Sequence, residues 1–347
     1  MPFNSEQLGY GGLAAINYFL KNDPVDQINY AHPLYEMLVG DKQMYPGGKQ
    51  YVVEQLRKSN DSNFQAYFGD GQVSYNRKRT LNQANWAPGS FHDGFGLNED
   101  ELAQNGIIMT DDRAPTQSKS EVVQLTNLFK ENMDTLKLGF IEGFDTMLHR
   151  SGSQSTLEIP GLDNIVSTTP SAAGTCGGID QVTDTYWRNY ANTGITASTI
   201  VDKMEIARRA CIQYGGYAPN KMLAGAAFID NYRTYAGTLA GRQTIAPAKG
   251  GVAVDGSVSG VFFGGVEIVL DPMFEVLDAL DSPTVPWTKR CYMLNTKFLK
   301  LRPINGHWMV PRNPPRVFDR YVNYWALTAK AALSTGKRNA HAVVAIA

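Results

Sequence analysis

The chain has 347 residues, enough for two or three compact units. Its 32 basic and 33 acidic residues nearly cancel, which excludes an obvious polyanion binder. Charged residues make up 19%, below the ~25% usual for soluble domains, and this suits either a surface partly covered by further copies of the chain or ordinary scatter.

The first residues, Met1 to Glu6, lack a basic region followed by an apolar core, so no secretory signal is expected. The apolar run Leu13–Leu20 is interrupted by Asn17 and is too short for a bilayer, as is every other window, so the expectation is a chain folded in a cytoplasm. Residues 9–20 predict a short helix with Leu13, Ile16 and Leu20 on one side. Asn22–Gly48 reads as a loose segment able to run over a neighbour. Lys49–Lys58 and Gln72–Asn98 read as long strand-type arms around polar, glycine-bearing Ser59–Gly71, which is turn chemistry. Together they predict an extended hairpin with little core of its own, which must lie on something. Asn98–Asn105 predicts one helix turn stopped by Gly106.

Ser118–Arg150 carries the strongest local signal. Val122, Leu125, Phe129, Met133, Leu136, Phe140, Phe144 and Met147 recur at steps of three and four, the period of one helix face. Ser118 with Glu121 fits a capping box, and Gly152 stands where the helix should stop. At ~1.5 Å per residue such a helix is roughly 48 Å long, a spar rather than a typical globular helix.

Beyond it, Gly161–Gly178 reads as a loop and Tyr186–Tyr190 as a strand or strand edge. Thr199–Tyr214 predicts a second amphipathic helix, with Ile200, Met204, Ala207 and Cys211 aligned and Gly215-Gly216 ending it. A buried strand is expected at Lys221–Ala224, then a helix through Ile229 and Tyr232, then a surface loop over Thr238–Gly260. Gly265–Leu270, Arg290–Asn295, Lys297–Pro303, Arg316–Leu333 and Ala340–Ile346 read as strands, giving a mixed α+β chain whose last strands return to the long helix. Phe129, Leu136 and Phe140 are expected to pack on Val343 and Ile346.

The chemistry of sites is sparse. Cys176, Cys211 and Cys291 are few, odd in number and far apart, which suits reduced thiols. Asn60-Asp61-Ser62 matches a glycosylation acceptor, a chance match without a secretory route. His32, His92, His149, His307 and His341 share no metal-ligand spacing with one another or with the cysteines, so no metal site is expected. Gly174–Gly178 superficially matches a nucleophile elbow around Cys176, but neither the preceding strand nor the following helix is indicated. Gly336-Lys337-Arg338 lacks the flanking residues of a phosphate loop, and Asp111-Asp112 reads as a solvated pair. Arg77-Lys78-Arg79 could touch nucleic acid, but without a wider basic surface a contact with a neighbouring subunit is at least as well supported.

The order of these segments resembles the major capsid proteins of tailed bacteriophages, which have the Hong Kong 97 type fold. The resemblance covers nearly the whole chain as an arrangement rather than a signature motif. Asp26–Leu38 (DQINYAHPLYEML) looks like the family's N-arm, and Lys49–Asn98, with Asn85-Trp86 in its returning limb, like its E-loop. Ser118–Arg150 looks like the spine helix, Gly260–Pro272 (GVFFGGVEIVLDP) like the loop and strand near the end of the axial domain, and the tail HAVVAIA like the closing strand. The implied organisation is an N-terminal arm (1–48), an E-loop (49–98), a peripheral domain (99–188 and 282–347, with the spine at about 118–150) and an axial domain (189–281).

The implied function is a major capsid protein that assembles as pentamers and hexamers into an icosahedral head around double-stranded DNA, without enzymatic activity or cofactor. Its partners would be itself, a scaffolding protein, a portal and a decoration protein, with no membrane and no specific DNA binding. Its place would be the virion, after assembly in the host cytoplasm. With no long acidic or coiled-coil segment read before the N-arm, an attached scaffolding domain is not expected, and no cross-linking Lys/Asn pair is matched. Arg57, Lys58, Arg77, Lys78, Arg79 and Trp86 are the candidate inter-subunit contacts. Two alternatives remain: an encapsulin-type bacterial compartment shell on the same fold, and an unrelated cytoplasmic enzyme using Cys176 or His307.

Overall fold

The structure, a computed structural model, describes residues 29–98, 119–240, 261–314 and 322–347. The helices expected at 9–20 and 98–105, the capping box and most of the 238–260 loop lie outside those residues. So do the side chains of Val122, Leu125 and Phe129.

The arm segment expected to be loose contains a helix, α1 (Pro33–Gly40). Pro33 occupies its first turn, where the missing N–H has no helical partner to lose, and Leu34, Tyr35 and Leu38 are buried. Strands β1 (Val52–Arg57) and β2 (Leu81–Trp86) form an antiparallel hairpin with Val52 opposite Trp86 and Arg57 opposite Leu81. The returning limb therefore starts at Leu81 rather than Gln72. The next strand, β3 (Gly89–Asn98), leaves the hairpin and pairs with the long strand Val322–Thr335.

Helix α2 (Lys119–His149) follows within a residue of its expected limits. Leu136, Phe140 and Phe144 are buried as expected, but Leu148 rather than Met147 continues the stripe, because the buried row follows steps of four. Gly152 has φ +76°, and a Cβ there would lie 2.5 Å from the Ile159 carbonyl oxygen, so only glycine fits the exit.

A single turn, α3 (Leu162–Ile165), precedes a tight hairpin of β4 (Thr175–Cys176) and β5 (Ile179–Asp180). The strand expected at Tyr186–Tyr190 is instead a 3-10 turn, Thr185–Trp187, before β6 (Tyr190–Ile195). Then come α4 (Ile200–Ala210), β7 (Lys221–Ala224), α5 (Ala226–Ala240), β8 (Val261–Phe263), β9 (Val266–Leu270) and α6 (Met273–Asp281). The chain closes with β10 (Arg290–Leu294), β11 (Leu299–Pro303), β12 (Val310–Arg312), β13 (Val322–Thr335) and β14 (Ala342–Ile346).

Contacts divide the chain into two units. The first holds the described parts of Met1–Tyr30, Ser90–Phe144 and Gly306–Lys330. Here β3 and β12 pair with β13, and Phe144 of α2 is met by aromatic rings. Phe91 meets Phe144 edge-on at 5.0 Å, Trp308 meets Phe144 at 5.6 Å, and Phe95 stacks on Trp325 at 5.6 Å. Such pairs add to the burial of large apolar surface.

The second unit holds Ala31–Gly89, Asp145–Asn305 and Ala331–Ala347. Its six-stranded sheet runs β6-β14-β10-β7-β9-β8. Alternation decides its two faces. Cys291, Met293, Ala342, Val344 and Ile346 point into a core with Met204, Ala207, Phe228 and Ile229 from α4 and α5. Tyr292 points the other way, against Phe274 and Trp287 at 5.8 and 5.9 Å. So β10 and β14, grouped from sequence with the peripheral segments, hydrogen-bond within the sheet of residues 190–270. Of the two residues expected against α2, Ile346 packs with α4 and α5, and Val343, paired with Tyr292, lies on the sheet's other face, while Phe144 of α2 is met by Phe91 and Trp308.

Replacing Leu136 by alanine should cost about 2–5 kcal/mol, the range for truncating a buried leucine. Chemical denaturation of both forms measures it. A loss under about 0.5 kcal/mol would place Leu136 outside the core.

Candidate functional site

The hairpin β1–β2 has two unlike faces. Val52 and Leu56 of β1 are buried, and so are Ala84 and Trp86 of β2, while Val53, Gln55, Arg57, Leu81 and Gln83 are exposed. The register sets Glu54 opposite Ala84, so one carboxylate sits on the inward face between two buried apolar residues. Arg302 of β11 answers it, with Nη2 donating to Glu54 Oε1 at 2.7 Å, and Ser334 Oγ donates to the same oxygen at 3.3 Å.

The other strand docks on the β4–β5 turn. Gly177 and Gly178 have φ +61° and +77°, the left-handed pair that a two-residue hairpin turn demands. The Asn85 amide donates to Gly177 O at 2.8 Å, and a Cβ on Gly177 would lie 3.1 Å from the Trp86 ring. Asn82 Nδ2 also donates to the Tyr186 hydroxyl at 2.7 Å. Trp86 is 1% exposed. It is thus an internal anchor of the hairpin base and not the contact surface expected from sequence.

Beyond the last rung, where the Lys58 amide meets Thr80 O at 2.8 Å, the hydrogen bonds of residues 59–79 stay within the loop among the described residues. Gln65 pairs with Ser74 through Nε2–Oγ (2.6 Å) and Oε1–amide (3.1 Å), and Asp61 Oδ2 accepts from the Arg79 amide at 3.0 Å. The loop is shaped without being packed. Phe64, Phe68 and Tyr75 are each more than 90% exposed, and Tyr67 is also exposed. Arg57, Lys58, Arg77, Lys78 and Arg79 are exposed as well, and none is ion-paired among the described residues. Residues 57–80 carry five cations against Asp61 and Asp70, a surplus of three on a chain of net charge −1, so the remainder carries −4. The aromatic members escaped the sequence reading. Their clustering within Phe64–Tyr75 of a polar turn was the available signal.

A second polar cluster lies buried at the C-terminal end of α2. His149 donates through Nδ1 to its own helix, to Asp145 O at 2.8 Å, and faces Asp271 Oδ2 with Nε2 at 2.9 Å. Asp145 Oδ2 meets His32 Nδ1 at 2.9 Å. Burial alone would strip the charge from His149, but the carboxylates of Asp145 and Asp271 outweigh it and push the pKa up to about 9. Asp145, His149 and Asp271 offer donor atoms within 4.8 Å of one another. Their geometry is nevertheless that of an ion-paired imidazolium. Asp145 Oδ1 approaches Nδ1 at 3.5 Å while Asp271 approaches Nε2, so the carboxylates face opposite ring nitrogens instead of converging on one lone pair.

His341 has the opposite fate. Its Nδ1 accepts from the Asn295 amide at 3.2 Å, which requires a lone pair there, and burial with the nearby Arg338 charge brings its pKa down to about 3. Cys176 is buried, and burial pushes its thiol up to about 11, away from the thiolate that a cysteine nucleophile needs. Among the described residues no helix is long and apolar enough to cross a membrane.

No family model matches the chain, and no curated protein matches it in sequence. Solved structures do match. A chain of the cyanophage A-1(L) capsid asymmetric unit shares 15% identity at a TM-score of 0.64, over 94% of this chain and 97% of that one. A chain of the capsid of Myoviridae phage XM1 shares 11% identity at 0.54, over 95% and 98%. One from the capsid of an empty GTA particle shares 11% at 0.50, over 97% and 99%. The fold is the one the sequence arrangement implied, an α+β fold of the Hong Kong 97 type, spanning those chains end to end.

The two buried histidines make stability fall on both sides of about pH 6.5. His149 has a raised folded pKa, so its contribution is full below 6.5 and is lost as pH rises towards 9. His341 has a lowered one, so its contribution is full above 6.5 and is lost as pH falls towards 3. Melting temperature between pH 5 and 9 should show both limbs, and His149→Gln should flatten the alkaline one. A profile level from pH 6.5 to 9 would refute the charged His149.

Proposed function

We propose that the chain is a major capsid protein, which self-associates as homo-pentamers and homo-hexamers into an icosahedral head enclosing double-stranded DNA. The observation that carries this reading is the end-to-end match of the whole fold to capsid chains, at 94–97% of this chain and 97–99% of theirs. The hairpin supports it independently. A monomer has no use for four exposed aromatic side chains on a shaped loop, whereas a subunit in a closed symmetric assembly can bury them on its neighbour.

In this reading residues 1–48 are the arm, the hairpin within 49–98 is the E-loop, and α2 is the spine of the peripheral domain. The sheet of β6 to β9 forms the axial domain, with β10 and β14 contributed by the later segment. The protein works structurally and needs no cofactor. A scaffolding protein, a portal and a decoration protein are its candidate partners, the host cytoplasm is where it assembles, and the virion is where it ends. An encapsulin-type shell would share the fold, but no observation favours it over a head protein.

The chemistry of the wall argues that DNA is confined, not bound. Binding needs a basic patch that releases counterions from many phosphates, and the one basic triplet, Arg77-Lys78-Arg79, lies in the loop assigned to protein contacts.

Two measurements test the proposal. Purified chain at rising concentration, with and without a co-expressed scaffold, should give rings and closed shells in sedimentation and electron microscopy; a persistent monomer would count against it. Reversing the charges of Arg77, Lys78 and Arg79 should impair assembly without lowering subunit melting. Single exposed pairs are worth only ~0–1 kcal/mol, but every copy repeats them. Separately, fluorescence anisotropy should show weak, sequence-independent DNA binding that vanishes at physiological salt, and sub-micromolar selective binding there would favour a nucleic-acid-binding module.

A further inference from the structure

Apolar burial holds the hairpin base down but does not aim it, because the hydrophobic effect has no direction. Val52, Leu56, Ala84 and Trp86 could keep most of their burial through a small rotation or slide. The directional contacts are few, and one side chain gathers most of them on the β1 side. Arg302 spreads its guanidinium over three segments: Nη2 to Glu54 Oε1 on β1 (2.7 Å), Nη1 to Gln43 Oε1 just after α1 (2.5 Å), and Nε to Ser334 Oγ on β13 (3.3 Å). The planar fork makes these demands simultaneous, so Glu54 is fixed relative to both the arm segment and the sheet. On the β2 side, the Asn85 amide on Gly177 O and Asn82 on the Tyr186 hydroxyl fix the second strand. A ribbon pinned through both strands cannot swing.

We propose that Arg302, acting through Glu54 and Gln43, is a positioning residue for assembly: it sets the direction in which the hairpin leaves its subunit, so that the aromatic loop 59–79 reaches a second copy already aimed. Docking then orders only the loop, and the entropy of orienting the whole arm is absent from the cost of association. The assembly half of this inference rests on the shell reading. The positioning half does not.

The two halves are tested in one series on the full chain. Arg302→Gln removes the charge and the fork, Glu54→Gln removes the carboxylate, and Glu54→Arg with Arg302→Glu exchanges the partners. Hydrogen exchange of the β1 and β2 amides in unassembled subunits reads aim, the threshold concentration reads assembly, and subunit melting reads fold. In the single variants hairpin amides should exchange on the order of tenfold faster and the threshold should rise several-fold, with melting close to wild type. The exchanged pair should recover both. Wild-type hairpin protection in the Arg302→Gln form overturns the proposal, and so does a threshold that rises only in proportion to lost melting temperature. If wild type forms no shells but Arg302→Gln still loosens the hairpin, positioning stands and the shell reading falls.

Discussion

A two-stranded ribbon has two faces and no second layer, so in water it must borrow a core or melt. Everything distinctive about this chain follows from how that constraint is met. The base of the hairpin borrows its core from its own chain, through Val52, Leu56, Ala84 and Trp86, and Gly177 suits the β4–β5 turn because its backbone is left-handed and a Cβ there would crowd Ala84 and Trp86. The distal 59–79 loop borrows nothing, and its aromatic rings stand in solvent. The ribbon is therefore packed at one end and unpacked at the other, an asymmetry that suits the proposed contact with a second copy.

Buried charge is handled just as locally. Asp145 and Asp271 flank a charged His149, while burial and the nearby Arg338 charge keep His341 neutral, its Nδ1 accepting from a backbone amide. Arg338 is held by neutral acceptors, the carbonyls of Asn164, Ile165 and Trp187 and the Gln181 amide oxygen, and burial pulls its pKa down. Its partners include the last carbonyls of α3, whose dipoles favour a cation. The two histidines thus end in different charge states because the charges beside them differ in sign, at sites where solvent cannot average the difference away.

Periodic segments were readable from sequence because their period is itself the cause of the fold. Leu136, Phe140 and Phe144 had to share a helix face, and Ile200, Met204, Ala207 and Cys211 another. Pairing was less readable. Nothing local marks that β14 joins β10 and β6, or that β3 deserts the hairpin for β13, because strand partners are chosen by contacts remote in the chain. Trp86 misled for a related reason. An aromatic residue beside exposed cations looks like a contact until its alternation with Ala84 and the turn at Gly177 are seen together. Glu54 was legible in principle as the polar member of an inward-facing triplet, but its partner lies 248 residues away.

The chain holds three cysteines, Cys176, Cys211 and Cys291, all of them buried, with thiols raised to about 11, 12 and 12. Their burial has a practical side. A new cysteine set among the solvent-facing residues of the 59–79 loop would be the one fast-reacting thiol in a molecule that needs no prior cysteine removal. Dyes, spin labels or cross-linkers could then be addressed to that point alone, and the proposed meeting of copies could be read directly as a distance.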